Sequence, residues 1–297
     1  MSESKLNTAL FKVNPGTIIS LDSFDTDLKE GISDKKEAQK KLKADTDILQ
    51  KLQYRLYAEN KQSLLIVFQA MDAGGKDSAI KHVFRGVNAQ GCKVHSFKTP
   101  TVNELEHDFL WRHYTRIPAR GDIGIFNRSH YENVLITKVH PEYILKERLK
   151  GINTVEDITE DFWEKRYEHI NAFEKTVAEN GTTILKFFLH LSKEKQKKRF
   201  LKRIDNEEKN WKFSSDDVKE RAFWDDYQQA YEKAINKTST DHAPWHIVPA
   251  DTKWYTRIVL MQIIIETLNR MDIRLPELSK EQKDKLGEYR EKLDVST

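Results

Sequence analysis

Apolar runs rich in β-branched and aromatic residues recur along the chain as SLLIVFQA (63–70), KVHSF (93–97), IGIF (123–126), TTILKFFLHL (182–191) and WHIVPA (245–250). Each has the length of a strand, and the segments between them are long enough for crossover helices. This alternation predicts a mostly parallel sheet covered on both faces. Ahead of the first run, residues 34–60 carry Leu42, Ile48, Leu49, Leu52 and Leu56 at helical spacing, which predicts a long helix feeding the first strand. Residues 1–33 show little periodicity. Beyond Ile273 the chain is strongly charged and predicts a solvated or partner-packing helix. With no linker or internal repeat, the expectation is one domain over 1–297, with an N-terminal helical extension over about 1–60 and a charged tail over about 274–297.

Composition narrows the class. An apolar fraction of 38% across 297 residues, with six Trp and fourteen Phe, can supply a sizeable core. Fifty basic residues against 47 acidic ones leave a net charge of +3, which gives no global signature of nucleic-acid or membrane binding. The single cysteine, Cys92, cannot form an internal disulfide. No apolar stretch approaches the roughly 18 residues of a membrane span, and the N-terminus lacks a signal-peptide pattern, so the cytoplasm is expected.

The chemistry concentrates in FQAMDAGGKDSAIKHVF (68–84), where an apolar run breaks into Gly-Gly-Lys and then into a helical pattern. Backbone N–H groups of Ala73, Gly74, Gly75, Lys76, Asp77 and Ser78 can wrap an anionic oxygen, the helix adds its positive dipole end, and Lys76 adds an ammonium. The bland alternative is a strand-to-helix turn without a ligand. Against the pattern G-x-x-x-x-G-K-[ST], Ala70 replaces a glycine and Asp77 a hydroxyl residue. Asp72, inside the loop, would repel a phosphate unless a cation intervened, which hints at magnesium. Lys81 and Arg85 add basic groups to the early helix, plain surface charge being their alternative.

Two further segments complete the candidate site. IGIFNRSHYENV (123–134) ends a short strand in Asn127 and Arg128; a strand end beside a phosphate loop usually serves the metal, and Asn127 offers an amide oxygen there. Arg128 is placed to stabilise charge on a transferring phosphoryl group, a structural ion pair being its alternative. KEKQKKRFLKR (193–203) holds seven basic residues in eleven. Lys195, Arg199 and Arg203, spaced by four, form one stripe suited to a polyanion or a lid, with Phe200 and Leu201 anchoring other faces. The acid pairs Asp216/Asp217 and Asp225/Asp226 read as helix-surface or capping groups. The histidines lack zinc-site spacing, no Gly-x-Ser-x-Gly is present, and NKTSTD (236–241) has Ser239 where a guanine-reading motif needs an acid.

Together with KNWKFS (209–214) and TSTDHAPWHIVPADTKWYTR (238–257), these motifs make the chain, from about residue 35 to about 270, closely similar to the polyphosphate kinase 2 family. The resemblance implies an α/β P-loop kinase fold related to thymidylate kinase: a three-layer sandwich with a central parallel sheet and a helical lid over about 192–215. It implies reversible, magnesium-dependent phosphoryl transfer, with manganese as a substitute ion, from inorganic polyphosphate to purine nucleotides: AMP, ADP or both, with GMP and GDP in range. The SHYEN and PADTKWY stretches look most like the subgroup that uses both mono- and diphosphates. Carried over by residue, the resemblance gives catalysis to Asp72, Lys76 and Arg128, metal binding to Asp72 and Asn127, and acceptor binding to Asn127 and Glu132. Phosphate binding falls to the 73–78 loop with Lys81, Arg85, Arg199 and Arg203. A homo-oligomer is expected, without nucleic-acid or membrane partners. The competing readings are an ATP-dependent nucleotide or small-molecule kinase and a non-enzymatic polyanion- or nucleic-acid-binding protein.

Overall fold

The first apolar run forms β1 (Ser63–Gln69), and all seven of its residues are buried. A strand apolar on both faces belongs at the centre of a parallel sheet. In the computed structural model, which describes residues 6–32, 34–211 and 214–295, β1 is flanked by β3 (Ile123–Asn127) and β4 (Thr182–His190), while β2 (Cys92–Ser96) and β5 (Trp245–Pro249) complete the order β2-β3-β1-β4-β5. Every pairing between these strands is parallel. Lys212 and Phe213 of KNWKFS lie outside the described residues, as do residues 1–5, 33 and 296–297.

Alternation along β1 sends Leu64, Ile66 and Phe68 into one core and Leu65 and Val67 into the other. The first core is covered by α1 (Lys35–Glu59) and the Lys253–Arg270 helix, the second by the Glu160–Glu179 and Trp224–Thr238 helices. This is a three-layer α/β sandwich. Helix α1 starts where the Asp34 carboxylate accepts from the N–H groups of Lys36 and Glu37, and stops at Asn60 in the left-handed region. Of the residues read at helical spacing, Leu49, Leu52 and Leu56 form its buried face and Leu42 is partly buried, but Ile48 is 43% exposed and points away from the core.

The helical extension expected over about 1–60 is corrected in its first half. Residues 6–32 hold only two short 3-10 turns, Thr8–Phe11 and Leu21–Ser23. The segment instead runs beside the sheet edge, where Val13 N donates to Trp245 O at 2.9 Å. The charged tail does form a helix, Lys280–Val295, and its described side chains are exposed.

From β1 the chain crosses to the β2/β3 side, and from β3 it returns past β1 to β4. The strand order therefore reverses between β1 and β3, and the carboxyl ends of these two strands flank the usual ligand position in open α/β sheets.

Candidate active site

At the carboxyl end of β1 the chain turns through Ala70–Gly75 and enters α2 (Lys76–Val83) with Gly75 as its N-cap. The Gly74 N–H donates to Met71 O at 2.9 Å, and Ala73 (φ 58°) and Gly75 (φ 101°) occupy the left-handed region. A Cβ on Gly74 would lie 2.5 Å from Ala70 Cβ. The two residues share one space: Ala70, where the pattern wants glycine, is accommodated because Gly74 has no side chain. The helix begins at Lys76, directly after the two glycines.

Lys76 is buried, and its ammonium folds back to donate to Ala70 O at 2.7 Å. Burial and the neighbouring Arg128 cation bring its pKa down to about 8.

The register of β1 against β3 places Phe68 beside Asn127, so the next residue, Arg128, emerges beside the loop. Its N–H donates to Phe68 O at 3.1 Å, and its own backbone is left-handed at φ 62°. The Arg128 guanidinium donates to Asp72 Oδ1 at 2.9 Å. The cation demanded by an acid in the loop is thus supplied at least in part by the protein. With side chains 40% and 31% exposed, such a pair contributes about 1 kcal/mol or less to stability; its consequence is position. The Glu132 carboxylate, followed by Asp72, holds the Arg128 cation more firmly protonated than usual.

Asn127 turns elsewhere. Its Nδ2 donates to Asp77 Oδ1 at 2.6 Å and to Ser96 Oγ at 3.4 Å, and it lines neither cavity described below. Ser78 accepts a bond from Arg257 at 3.1 Å. Lys81 and Arg85 are exposed and line no cavity described here; α2 carries Arg85 past its far end, about 10 Å or more from the loop by helix rise alone.

The basic run forms the Lys193–Ile204 helix, started by Ser192 Oγ accepting from Lys195 N. Phe200 is buried as expected, but Leu201 is 49% exposed and anchors nothing. Arg199 binds carbonyls: one Nη donates to Ala73 O at 2.8 Å and Gly74 O at 3.0 Å, the other to Ala250 O and Asp251 O. It clamps the turn after β1 to the end of β5. Arg203 pairs with Asp217 at 3.2 Å. Buried Gln196, unmarked in the sequence among its charged neighbours, donates to Asp72 O at 2.9 Å and accepts from Arg221 at 2.8 Å.

Two cavities meet here. One of about 150 Å³ is lined by Ala70, Met71, Asp72, Gln196, Arg221, Tyr227 and Tyr231, together with Asp216, Asp217 and Glu220. Asp216 and Asp217, read in the sequence as surface or capping acids, therefore face the site. The Asp217 carboxyl has its pKa raised chiefly by burial and next by the nearby Asp72 charge. The other cavity, of about 330 Å³, is lined by aromatic and apolar groups including Phe97, Phe109, Ile136 and Tyr143, and by Arg112, His113 and Lys146. Arg128, Glu132 and Ile136 line both. The second cavity was not legible, because its residues come from separate turns without a periodic pattern.

A family model described as "Polyphosphate kinase 2" matches residues 32–276. The ADP-polyphosphate phosphotransferase of Rhodopseudomonas palustris is 45% identical over 289 residues, 97% of this chain and 99% of that protein. The AMP/ADP-polyphosphate phosphotransferase of Meiothermus ruber is 44% identical over 268 residues, 90% of this chain and 95% of that one. The crystal structure of polyphosphate kinase 2 from Arthrobacter aurescens TC1 superposes with a TM-score of 0.88 at 37% identity, covering 98% of this chain and 99% of that one.

Proposed function

Because the chain belongs to the polyphosphate kinase 2 family, we propose that it transfers phosphoryl groups from inorganic polyphosphate to AMP and ADP, reversibly and with magnesium. One observation carries the assignment of parts: Arg128 and Glu132 line two cavities that meet beside a phosphate-loop turn. The larger, aromatic cavity takes the acceptor nucleoside, which suits its size and apolar lining. The terminal phosphoryl of the donor lies between the acceptor phosphate and the 73–78 loop. Guanine nucleotides fall within the same acceptor range.

An acceptor phosphate oxygen attacks the terminal phosphorus, and the bond from that phosphorus to the bridging oxygen breaks, releasing polyphosphate one unit shorter. The acceptor oxygen is already ionised near neutral pH, so no strong general base is needed. Catalysis then rests on positioning and on charge stabilisation. Arg128 answers charge on the transferring group, and Lys76 answers donor phosphate charge once its ammonium leaves Ala70 O.

The smaller cavity offers Asp72 and further carboxylates, oxygen donors of the kind that suit magnesium, and manganese by the same chemistry. Among the described residues no group of three or more His, Cys, Asp or Glu side chains forms a metal centre, so phosphate oxygens and water would complete the coordination of an ion held by Asp72. When bound, magnesium supplies charge neutralisation between the phosphates. Asn127, bonded to Asp77, contributes less directly to metal or acceptor than its strand position implied.

The 192–215 segment acts as the lid, its Arg199 and Arg203 already tied to the loop and to Asp217. Exposed Tyr54, Tyr57 and the edge-strand residue Val94 offer a surface for a second copy of the chain, and the substrates favour a cytoplasmic setting. No helix among the described residues is long and apolar enough to cross a membrane.

Arg128→Ala tests the central assignment. A folded variant should lose about 10³-fold in kcat; unchanged turnover would contradict the role given to Arg128.

A further inference from the structure

Directly behind Arg128 lies a polar network with no access to solvent. Lys186, in the middle of β4, and Glu174, on the Glu160–Glu179 helix, are 0% exposed and 2.6 Å apart. The ammonium of Lys186 has three donors, and each is used: Glu174 Oε2 at 2.6 Å, the Tyr131 hydroxyl at 2.7 Å and Thr238 O at 2.7 Å. The other Glu174 oxygen accepts from the Tyr131 hydroxyl at 2.8 Å and pairs with His130 Nε2 at 3.1 Å. Glu174 Oε1 thus binds two consecutive residues of the turn that follows Arg128.

That turn needs holding. Arg128 has left-handed backbone at φ 62° without being glycine, a conformation that persists only when its surroundings over-determine it. Ser129 Oγ, fully buried, accepts from Tyr131 N at 3.2 Å and from Gln69 Nε2 at 3.3 Å, tying the turn to β1. His130 and Tyr131, also fully buried, are fixed by Glu174 and Lys186. Anchors therefore lie one, two and three residues beyond Arg128, on its inner side, while its guanidinium reaches outward to Asp72.

A buried ion pair is poor value as a stabiliser, because apolar residues of equal volume commonly serve as well. Its geometry explains its presence better. We infer that Glu174, together with Lys186, is a positioning residue for phosphoryl transfer: it locks the His130–Tyr131 turn and so aims the Arg128 guanidinium at the junction of the two cavities. The inference rests on the role proposed for Arg128.

The test is a kinetic cycle. In folded Glu174→Gln, kcat with polyphosphate and AMP should fall about tenfold or more, since small misplacement of a catalytic group is costly, while both KM values stay near wild type. In the Arg128→Ala background the same change should lower kcat no further, because the path through Arg128 is already gone. If Glu174→Gln does not fold, Tyr131→Phe removes one hydroxyl from the same network and is judged by the same cycle. Wild-type kcat in the folded variant, or an equal loss with and without Arg128, would overturn the inference. If Arg128→Ala itself turns over normally, the underlying reading of Arg128 fails; an impaired Arg128→Ala beside an unaffected Glu174→Gln removes the inference alone.

Discussion

Lys76 and Asp72 carry opposite charges in one loop, and each answers to Arg128. With its pKa brought down to about 8 by burial and by Arg128, Lys76 is a cation below that pH and neutral above it. Donor capture should therefore weaken as pH rises: kcat/KM for polyphosphate falls above about pH 8, and a profile flat to pH 10 would contradict the charge role. Stability moves the other way. Between about 8 and the ordinary lysine value of 10.5, the unfolded chain holds a proton that the folded chain has lost, so this group makes folding more favourable as pH rises. Asp72 was legible as an oddity in the sequence, but its partner was not. Only the β1/β3 register, Phe68 beside Asn127, shows that Arg128 reaches it.

At the scale of the element, the loop is held from inside by Gly74 and from outside by Arg199. Gly74→Ala would press a methyl to within 2.5 Å of Ala70 Cβ and 2.7 Å of Met71 O, at a cost of about 1–3 kcal/mol; thermal unfolding should show the lowered stability, and turnover should drop with it. Arg199→Lys separates two roles. A bare charge for phosphate would survive the change, whereas a clamp on four carbonyls would not, because lysine lacks the planar fork. The clamp predicts a fall in kcat/KM, measured by steady-state kinetics with polyphosphate varied, and an unchanged value would contradict it. The five strands were legible to within one or two residues, since apolar runs encode burial locally. Helix positions of the basic run were legible too, but not their partners. Arg199 was expected at phosphate and found on carbonyls; Gln196 gave no signal at all, because a buried amide among lysines has no local signature.

Across the whole molecule, the sheet order brings distant segments to one edge, which is why the cavities escaped a reading by motif. Phe97, Arg112 and His113 meet Arg128 and Glu132 in one cavity, while Asp217, Tyr227 and Tyr231 meet them in the other. No spacing rule links them. The exposed Lys280–Val295 helix stands apart from this arrangement, so a chain ending at residue 278 should keep its turnover and its melting temperature; a marked fall in either would give that helix a part in the working protein. The central claim is tested most directly by incubating the purified chain with AMP, polyphosphate and magnesium, with no ATP added, and separating the nucleotides over time. The site described here predicts ADP followed by ATP, and neither product from Asp72→Asn. No product from AMP or from ADP, in a chain that transfers phosphate from ATP instead, would contradict it.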